Sequence, residues 1–269
     1  MPMVLVTGAA GRVAGYVVPE LLAHGYDVRG FDIKPASFPG VESVVGDVRL
    51  FDEVLAATRG VDLVCHLAAI AWDGLPVPEI LQLNVAGAVH VLEAAERCGV
   101  RRVVHASTIR AYGLLSAKNP TRPRFLPVTE DHPLLPPDGY GMSKAASETF
   151  ARCYSARGLS VIVLRLGGVV DFADSRGIWA PLDAGVHAPD AAQAFRLALE
   201  TERQFGVYNV VSRGRYSRAG DVQTAAERQA ELESIAIGPD ICTPEFWAGA
   251  ENVYSVDRAI RELGFRPTW

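Results

Sequence analysis

Apolar and polar positions recur along the first two-thirds of the chain with two different periods. Short continuous apolar runs have the length and branched-residue content of strands buried on both faces: Met3–Thr7, Asp27–Phe31, Ser43–Val45, Leu63–Leu67, Val103–Ala106 and Ser160–Arg165. Between them, Arg12–His24, Leu50–Thr58, Glu79–Cys98 and Tyr140–Arg157 carry apolar residues at helical spacing. Gly25, Gly60, Gly99 and Gly158 follow these stretches, at the place where a left-handed residue closes a helix. Strands alternating with helices in this way predict an α/β protein with a doubly wound parallel sheet.

Two segments depart from this rhythm. Leu115–Pro137 contains Pro120, Pro123, Pro127, Pro133, Pro136 and Pro137 and reads as an extended loop within the domain, because alternation resumes after it. Beyond Gly167 the pattern is irregular. A helix over Asp190–Glu200, a strand over Gly206–Val211, a polar helix over Gly220–Ser234 and a last helix over Val256–Leu263 can still be placed. The expected organisation is a core over residues 1–165, which carries the chemistry. Residues 166–269 are then mostly a small substrate-binding lobe, with 186–211 returning to the core.

Composition narrows the function class. The 269 residues are 49% hydrophobic and 21% charged, enough apolar content for one sizeable core and too much for disorder. A net charge of −5 argues against nucleic acid as a partner. Cys65, Cys98, Cys153 and Cys242 are far apart and form no CxxC pair, so neither a metal site nor a disulfide framework is suggested. No basic stretch precedes Val4-Leu5-Val6, and no apolar run is long enough for a bilayer, so no membrane association is expected. The expectation is a soluble protein of a reducing cytoplasm with free thiols. Only three of the cationic side chains are lysines, Lys34, Lys118 and Lys144.

The first strand runs into Thr7-Gly8-Ala9-Ala10-Gly11-Arg12-Val13-Ala14-Gly15. Small residues at a strand-to-helix junction let the backbone approach a pyrophosphate, whose charge the helix N-terminus stabilises. Asp32, roughly 20 positions further on and at the end of the second strand, suits the hydroxyls of an adenosine ribose and would repel a 2′-phosphate. This favours NAD over NADP on a Rossmann-type sheet, with Lys34 and Arg29 as nearby cations that bear on the choice. In Tyr140-Gly141-Met142-Ser143-Lys144, a spacing of four puts the phenol and the ammonium on one helix face. A neighbouring ammonium favours the phenolate and makes the tyrosine a usable base near neutral pH. Ser107-Thr108 follows the fifth strand, at the carboxyl edge where ligands bind in such sheets.

In this order these elements resemble the extended short-chain dehydrogenase/reductase (SDR) family, and within it the NAD-dependent epimerase/dehydratase branch. The resemblance covers most of the chain. It extends to Gly46-Asp47-Val48, His66-Leu67-Ala68-Ala69, Asn84-Val85-Ala86-Gly87, Glu130-Asp131-His132-Pro133-Leu134, Val207-Tyr208-Asn209-Val210 and Ala259-Ile260-Arg261-Glu262-Leu263-Gly264-Phe265. It implies that Gly8, Ala10, Gly11, Arg12 and Val13 contact the pyrophosphate region and that Asp32 binds the ribose. Asp47 and Val48 would flank the adenine, and Leu67, Ala68 and Ala69 would line the channel to the nicotinamide. Tyr140 would be the catalytic acid/base, Lys144 would hold the nicotinamide ribose, and Thr108 would hydrogen-bond the reacting oxygen, with Ser107 as its substitute in another register. Asn84 is read either as a contact to groups of the fourth strand or to the cofactor, or as a buried hydrogen-bonding residue. The resemblance also implies a homodimer formed through the Glu79–Cys98 and Tyr140–Arg157 helices.

Four features depart from the family pattern. Ala14 replaces the third glycine. Ile109-Arg110 stand where dehydratases of the branch carry Asp-Glu, which disfavours sugar dehydration. Arg165-Leu166-Gly167-Gly168 lacks the substrate-contacting Asn of sugar epimerases. After Arg165 there is little room for a nucleotide clamp. The expected function is NAD-dependent hydride transfer at a secondary alcohol or ketone of a sugar or nucleotide sugar, as in a 4-epimerase. The alternatives are a compact-substrate dehydrogenase of the uronate or free-sugar type, and a non-catalytic NAD-sensing protein. His66, His105 and His187 read as packing residues, Trp72, Trp179 and Trp247 as pocket or packing residues, and Arg122/Arg124 and Arg213/Arg215/Arg218 as solvated faces.

Overall fold

Seven parallel strands form the centre of the molecule in the order β3-β2-β1-β4-β5-β6-β9. A computed structural model describes residues 1–71, 74–114, 123–125, 127–171, 185–212 and 253–268. The strands are β1 (Met3–Thr7), β2 (Asp27–Asp32), β3 (Glu42–Val45), β4 (Leu63–His66), β5 (Arg102–Thr108), β6 (Ser160–Leu166) and β9 (Phe205–Val210). A separate parallel pair joins β7 (Gly168–Val170) to β8 (Gly185–His187). Sequence pattern missed this pair, whose strands have only three residues each.

The pleat of β1 assigns its residues to two cores. Val4 and Val6 join a cluster with Val17, Val18 and Leu21 of α1 (Ala14–Ala23) and Phe195 of α6 (Ala188–Glu200). Leu5 faces the other way, toward Val54 of α2 (Phe51–Thr58), Val91 and Leu92 of α4 (Gly87–Cys98) and Ala151 of α5 (Gly139–Ala156). Both faces of the sheet are therefore covered, which is why its strands read as continuous apolar runs rather than alternating ones. The last helix, α7 (Asp257–Leu263), adds Ala259 and Leu263 to the first core.

Two expected boundaries are corrected. The stretch expected as one helix over Glu79–Cys98 is α3 (Val77–Leu81), a single π-helical turn (Gln82–Ala86) and then α4. The fifth strand does not stop at Ala106 but runs through Ser107 and Thr108, which pair in register with Arg165 and Leu166 of β6. Thr108 then caps a 3₁₀ turn over Ile109–Tyr112. The described part of the proline-rich loop is held from the C-terminal side. Val128 forms a parallel bridge with Tyr254, and its backbone N–H donates to Val253 O at 2.8 Å. The helix expected over Gly220–Ser234 lies outside the described residues, as do Trp72, Trp179, Trp247, Lys118, Arg122, Arg213, Arg215, Arg218 and Cys242.

Among the described residues no helix is long and apolar enough to cross a membrane. No group of His, Cys, Asp or Glu among them could hold a metal ion.

Candidate active site

The strand order reverses between β1 and β4, and this opens a crevice at the carboxyl edge of the sheet. Gly8 leaves β1 with φ +71°, and its N–H donates to Phe31 O at 2.8 Å. A side chain is excluded there twice over: the backbone is left-handed, and a Cβ would lie 2.7 Å from Ala68 N. The turn tightens further where Gly11 N–H donates to Gly8 O at 2.9 Å. Ala10, Gly11 and Arg12 are exposed and Val13 is half-buried, directly before the first residue of α1. The turn is thus exposed directly ahead of a helix N-terminus, where a pyrophosphate would be stabilised.

Asp32 closes β2 beside this turn. One carboxylate oxygen accepts Ala10 N–H at 3.1 Å and the other accepts Lys34 N–H at 3.1 Å. Exposed Ile33 follows it, and Val45, its register partner on β3, is exposed as well. An acid with spare lone pairs beside open apolar surface fits an adenosine. Arg29 is not available to a 2′-phosphate: its guanidinium is committed to Glu42 at 2.8 Å and to the carbonyls of Ala57 and Arg59, both at 2.8 Å. Asp47 is clasped by Arg49, Nε at 2.9 Å and Nη2 at 2.5 Å from Oδ2, and these bonds hold its carboxyl below the usual range. Val48 is buried against Gly87, where a Cβ would come within 3.0 Å of it.

Leu67, Ala68 and Ala69 are half-buried as they leave β4. Thr7 ties their loop to β1 by accepting Ala68 N–H at 3.3 Å and meeting His66 Nδ1 at 2.7 Å. His66 is fully buried and stacks on His105, with ring centroids 5.3 Å apart. Burial, and then the charge of Lys144, pushes His66 down to about 3 and His105 well below its ordinary value, so both are neutral.

Asn84 lies in the π-turn and is almost fully buried. Its amide accepts Ile70 N–H at 2.8 Å and donates to Ile70 O and Ser143 Oγ, both at 2.9 Å. These bonds tie the loop after β4 to α5. Ser143 was not singled out by sequence reasoning, although it sits between Tyr140 and Lys144.

Asp138 caps α5 by accepting Gly141 N–H at 2.7 Å, and this fixes the first turn on which Tyr140 stands. Tyr140 is half-buried, and Lys144, one turn on, is only 2% exposed. Lys144 Nζ donates to Ala106 O at 2.8 Å, and burial lowers its pKa to about 8 against the opposing pull of Glu148. Thr108 Oγ1 accepts Arg110 N–H at 3.2 Å, which leaves its own proton to donate elsewhere. Arg110 connects the two: its guanidinium lies 5.3 Å from the centre of the Tyr140 ring and 3.0 Å from Asp138.

Ser107 points the other way. Its Oγ donates to Glu148 at 2.5 Å, and Glu148 receives Arg165 Nη2 at 2.7 Å. Arg165 also donates to Tyr112 Oη at 2.8 Å, and Tyr112 donates to Asn209 Oδ1 at 2.6 Å. Asn209 N–H in turn donates to Glu130 at 2.8 Å. Motif matching picked out Glu130, Arg165 and Asn209 without giving them a task, and Tyr112 stands with them here. The structure joins them, with Glu148, into one buried network under the site.

The profile of the NAD dependent epimerase/dehydratase family matches residues 4–170. L-arabinose 1-dehydrogenase (NAD(P)(+)) of Haloferax volcanii is 29% identical over an alignment covering 99% of this chain and 96% of that protein. UDP-glucose 4-epimerase of Azospirillum brasilense is 33% identical across 65% of this chain, and the match spans only about half, 51%, of that protein. A short-chain dehydrogenase/reductase superfamily protein from Agrobacterium tumefaciens, crystallised with bound NAD, superposes with a TM-score of 0.74 at 28% identity. The superposition covers 99% of this chain and 93% of that one.

Proposed function

The chain belongs to the NAD dependent epimerase/dehydratase family, and from that membership we propose that it is an NAD-dependent dehydrogenase acting at a secondary alcohol or ketone of a compact sugar. The arrangement of Thr108, Tyr140 and Lys144 at the carboxyl edge of the sheet supports hydride chemistry. Bound NAD supplies the hydride acceptor and donor. Tyr140 takes the proton from the substrate hydroxyl during oxidation and returns it during reduction. Thr108, its lone pair engaged by Arg110 N–H, donates to the same oxygen. Lys144 holds the nicotinamide ribose and favours the Tyr140 phenolate.

One observation carries the preference for a compact sugar. The position of the epimerase Asn is Gly168, an exposed glycine at the start of β7, which offers a substrate no side-chain amide. The arabinose dehydrogenase, aligned over 96% of its length, supports the same reading. In this reading 166–269 is mostly the substrate lobe, with 186–211 and α7 belonging to the core, and Gly8, Ala10 to Val13, Asp32, Asp47, Val48 and Leu67 to Ala69 line the cofactor groove. Asp32 favours NAD over NADP, with Arg29 engaged elsewhere. Met142 and Phe150, exposed apolar residues of α5, support a homodimer through α4 and α5.

The similarity to UDP-glucose 4-epimerase favours a second reading, epimerisation of a nucleotide sugar. Purified protein with NAD and a panel of pentoses, hexoses, uronates and nucleotide sugars separates the two. Net NADH formation on a free sugar supports the dehydrogenase. An isomer formed without net NADH overturns it in favour of the epimerase. Tight NAD binding without turnover of any substrate would leave a cofactor-sensing protein.

A further inference from the structure

A glutamate one helical turn from a lysine is ordinarily its ion-pair partner. Lys144 and Glu148 stand at this spacing on α5 and are both buried, yet the Lys144 ammonium donates to Ala106 O. The reason lies on the neighbouring strands. Glu148 Oε1 accepts Ser107 Oγ at 2.5 Å and Arg165 Nε at 3.0 Å, and Oε2 accepts Arg165 Nη2 at 2.7 Å. Ser107 and Arg165 are register partners on β5 and β6, so the sheet itself delivers both donors to one carboxylate. Arg165 is held in turn by Tyr112 Oη and by Glu130 O at 3.0 Å. The side chains of Arg165 and Glu148 are 5% and 7% exposed, so water does not compete for these bonds.

The other groups acting near Lys144 give it no counter-charge. His66 on β4 and His105 on β5 are neutral, and Tyr140 on its own helix is its working partner. Glu148 is the anion that acts on it.

We propose that Arg165 and Ser107 are positioning residues that keep Glu148 occupied, so that the Lys144 ammonium stays at the Ala106 carbonyl and available to the cofactor instead of turning back into an ion pair with Glu148. The inference rests on the reading of Lys144 as the residue that holds the nicotinamide ribose. Without Arg165, Glu148 is a buried carboxylate short of two donors, and the nearest flexible cation on its own helix is Lys144. The guarding residues thus set the direction of a side chain they do not touch.

The scarcity of lysine makes this measurable. Labelling the lysine ε-carbons gives signals from only three residues, and Lys144→Met identifies the one that matters. The cofactor-free protein is titrated by NMR, and NAD affinity is measured separately by fluorescence. In Arg165→Met, the Lys144 midpoint is expected to rise by about one unit or more, a tenfold gain in proton affinity. NAD binding is expected to weaken by roughly the same tenfold factor. In Arg165→Met/Glu148→Gln, which removes both buried charges together, Lys144 and NAD affinity return toward wild type. A folded Arg165→Met with an unmoved Lys144 signal overturns the proposal, and so does a double variant as impaired as the single one. If Arg165→Met does not fold, Ser107→Ala frees one oxygen of Glu148 without stranding a charge. It is expected to move the Lys144 signal in the same direction by less, and no movement overturns the proposal. Lys144→Met binding NAD as wild type does would instead remove the reading of Lys144 on which the inference stands.

Discussion

Asn84 Nδ2 donates to Ser143 Oγ at 2.9 Å and so joins the π-turn to the first turn of α5. Ser143 Oγ passes the contact on by donating to Tyr140 O at 2.7 Å. Together with the two bonds to Ile70, one side-chain amide fixes the loop after β4 relative to the helix that carries Tyr140 and Lys144. Asn84→Leu leaves the Ile70 groups and Ser143 without this partner and should lower stability by about 1–3 kcal/mol. Turnover should fall further than NAD affinity. Chemical denaturation and steady-state kinetics on the same variant check this; unchanged kcat in a destabilised protein would reduce Asn84 to packing.

Tyr140→Phe removes the proton acceptor and keeps the ring that Arg110 faces. Its kcat should drop by roughly 10²–10⁴-fold, while NAD affinity and melting temperature stay close to wild type. Thr108→Val should also lose turnover. It gives up in addition the cap of the 3₁₀ turn, at about 1 kcal/mol, whereas Thr108→Ser keeps both.

Asp32→Asn keeps one acceptor for the Ala10 and Lys34 amides and removes the charge. The KM for NAD should rise about tenfold, and the ratio of NAD to NADP efficiency should fall by at least as much, since the repulsion of a 2′-phosphate is gone. Kinetics with both cofactors measure the ratio. An unchanged ratio would show that another residue discriminates.

Burial of Lys144 costs stability where the folded protein has to keep the charge. Its folded pKa of about 8 lies below the ordinary 10.5, so between these values the unfolded chain holds the extra proton and stability rises with pH. The penalty is fully present below pH 8. Lys144→Met should therefore be inactive yet more stable than wild type at pH 7, and its advantage should shrink as the pH climbs from 8 toward 10. Paired urea titrations across that range test it; an advantage independent of pH would be the wrong sign for a buried charge.

The acid side follows from His66 and His105. Both are neutral in the fold because burial depresses them, so their contribution is present above pH 6.5 and is lost as the pH falls toward the folded value, about 3 for His66. His105→Gln should flatten the decline of unfolding free energy between pH 6 and 4. A slope equal to that of wild type would assign acid sensitivity to the carboxylates instead.

The parallel sheet was legible because burial on both faces writes strands as unbroken apolar runs, as at Val4-Leu5-Val6 and Val161-Ile162-Val163-Leu164. The glycine turn and Asp32 were legible because each is set by local backbone demands. Three things were not. The π-turn at Asn84 is held by bonds to Ile70 and Ser143, partners distant in sequence, and leaves the helical spacing of Glu79–Cys98 nearly intact. The division of labour between Ser107 and Thr108 depends on the pleat of β5 and on the pairing of Ser107 with Arg165, so two adjacent hydroxyls looked interchangeable. Arg29 looked like a possible phosphate ligand until its carbonyl partners in the α2 region were known.

The bridge between Val128 and Tyr254 has a consequence for how the molecule is made. Asn209 Nδ2 donates to both Val128 O and Ser255 O at 3.1 Å, and Arg258 reaches Asp131 at 2.8 Å, so residues 253–258 clasp the loop that leads into α5. A chain grows from its N-terminus, and domains can begin to fold while the rest is still being synthesised. On the ribosome, β1 to β6 and the glycine turn emerge well before Tyr254 does. A half-made chain therefore has the glycine turn before it has the clasp on the loop that leads to Tyr140, and the proposed hydride chemistry is acquired later than the groove it uses.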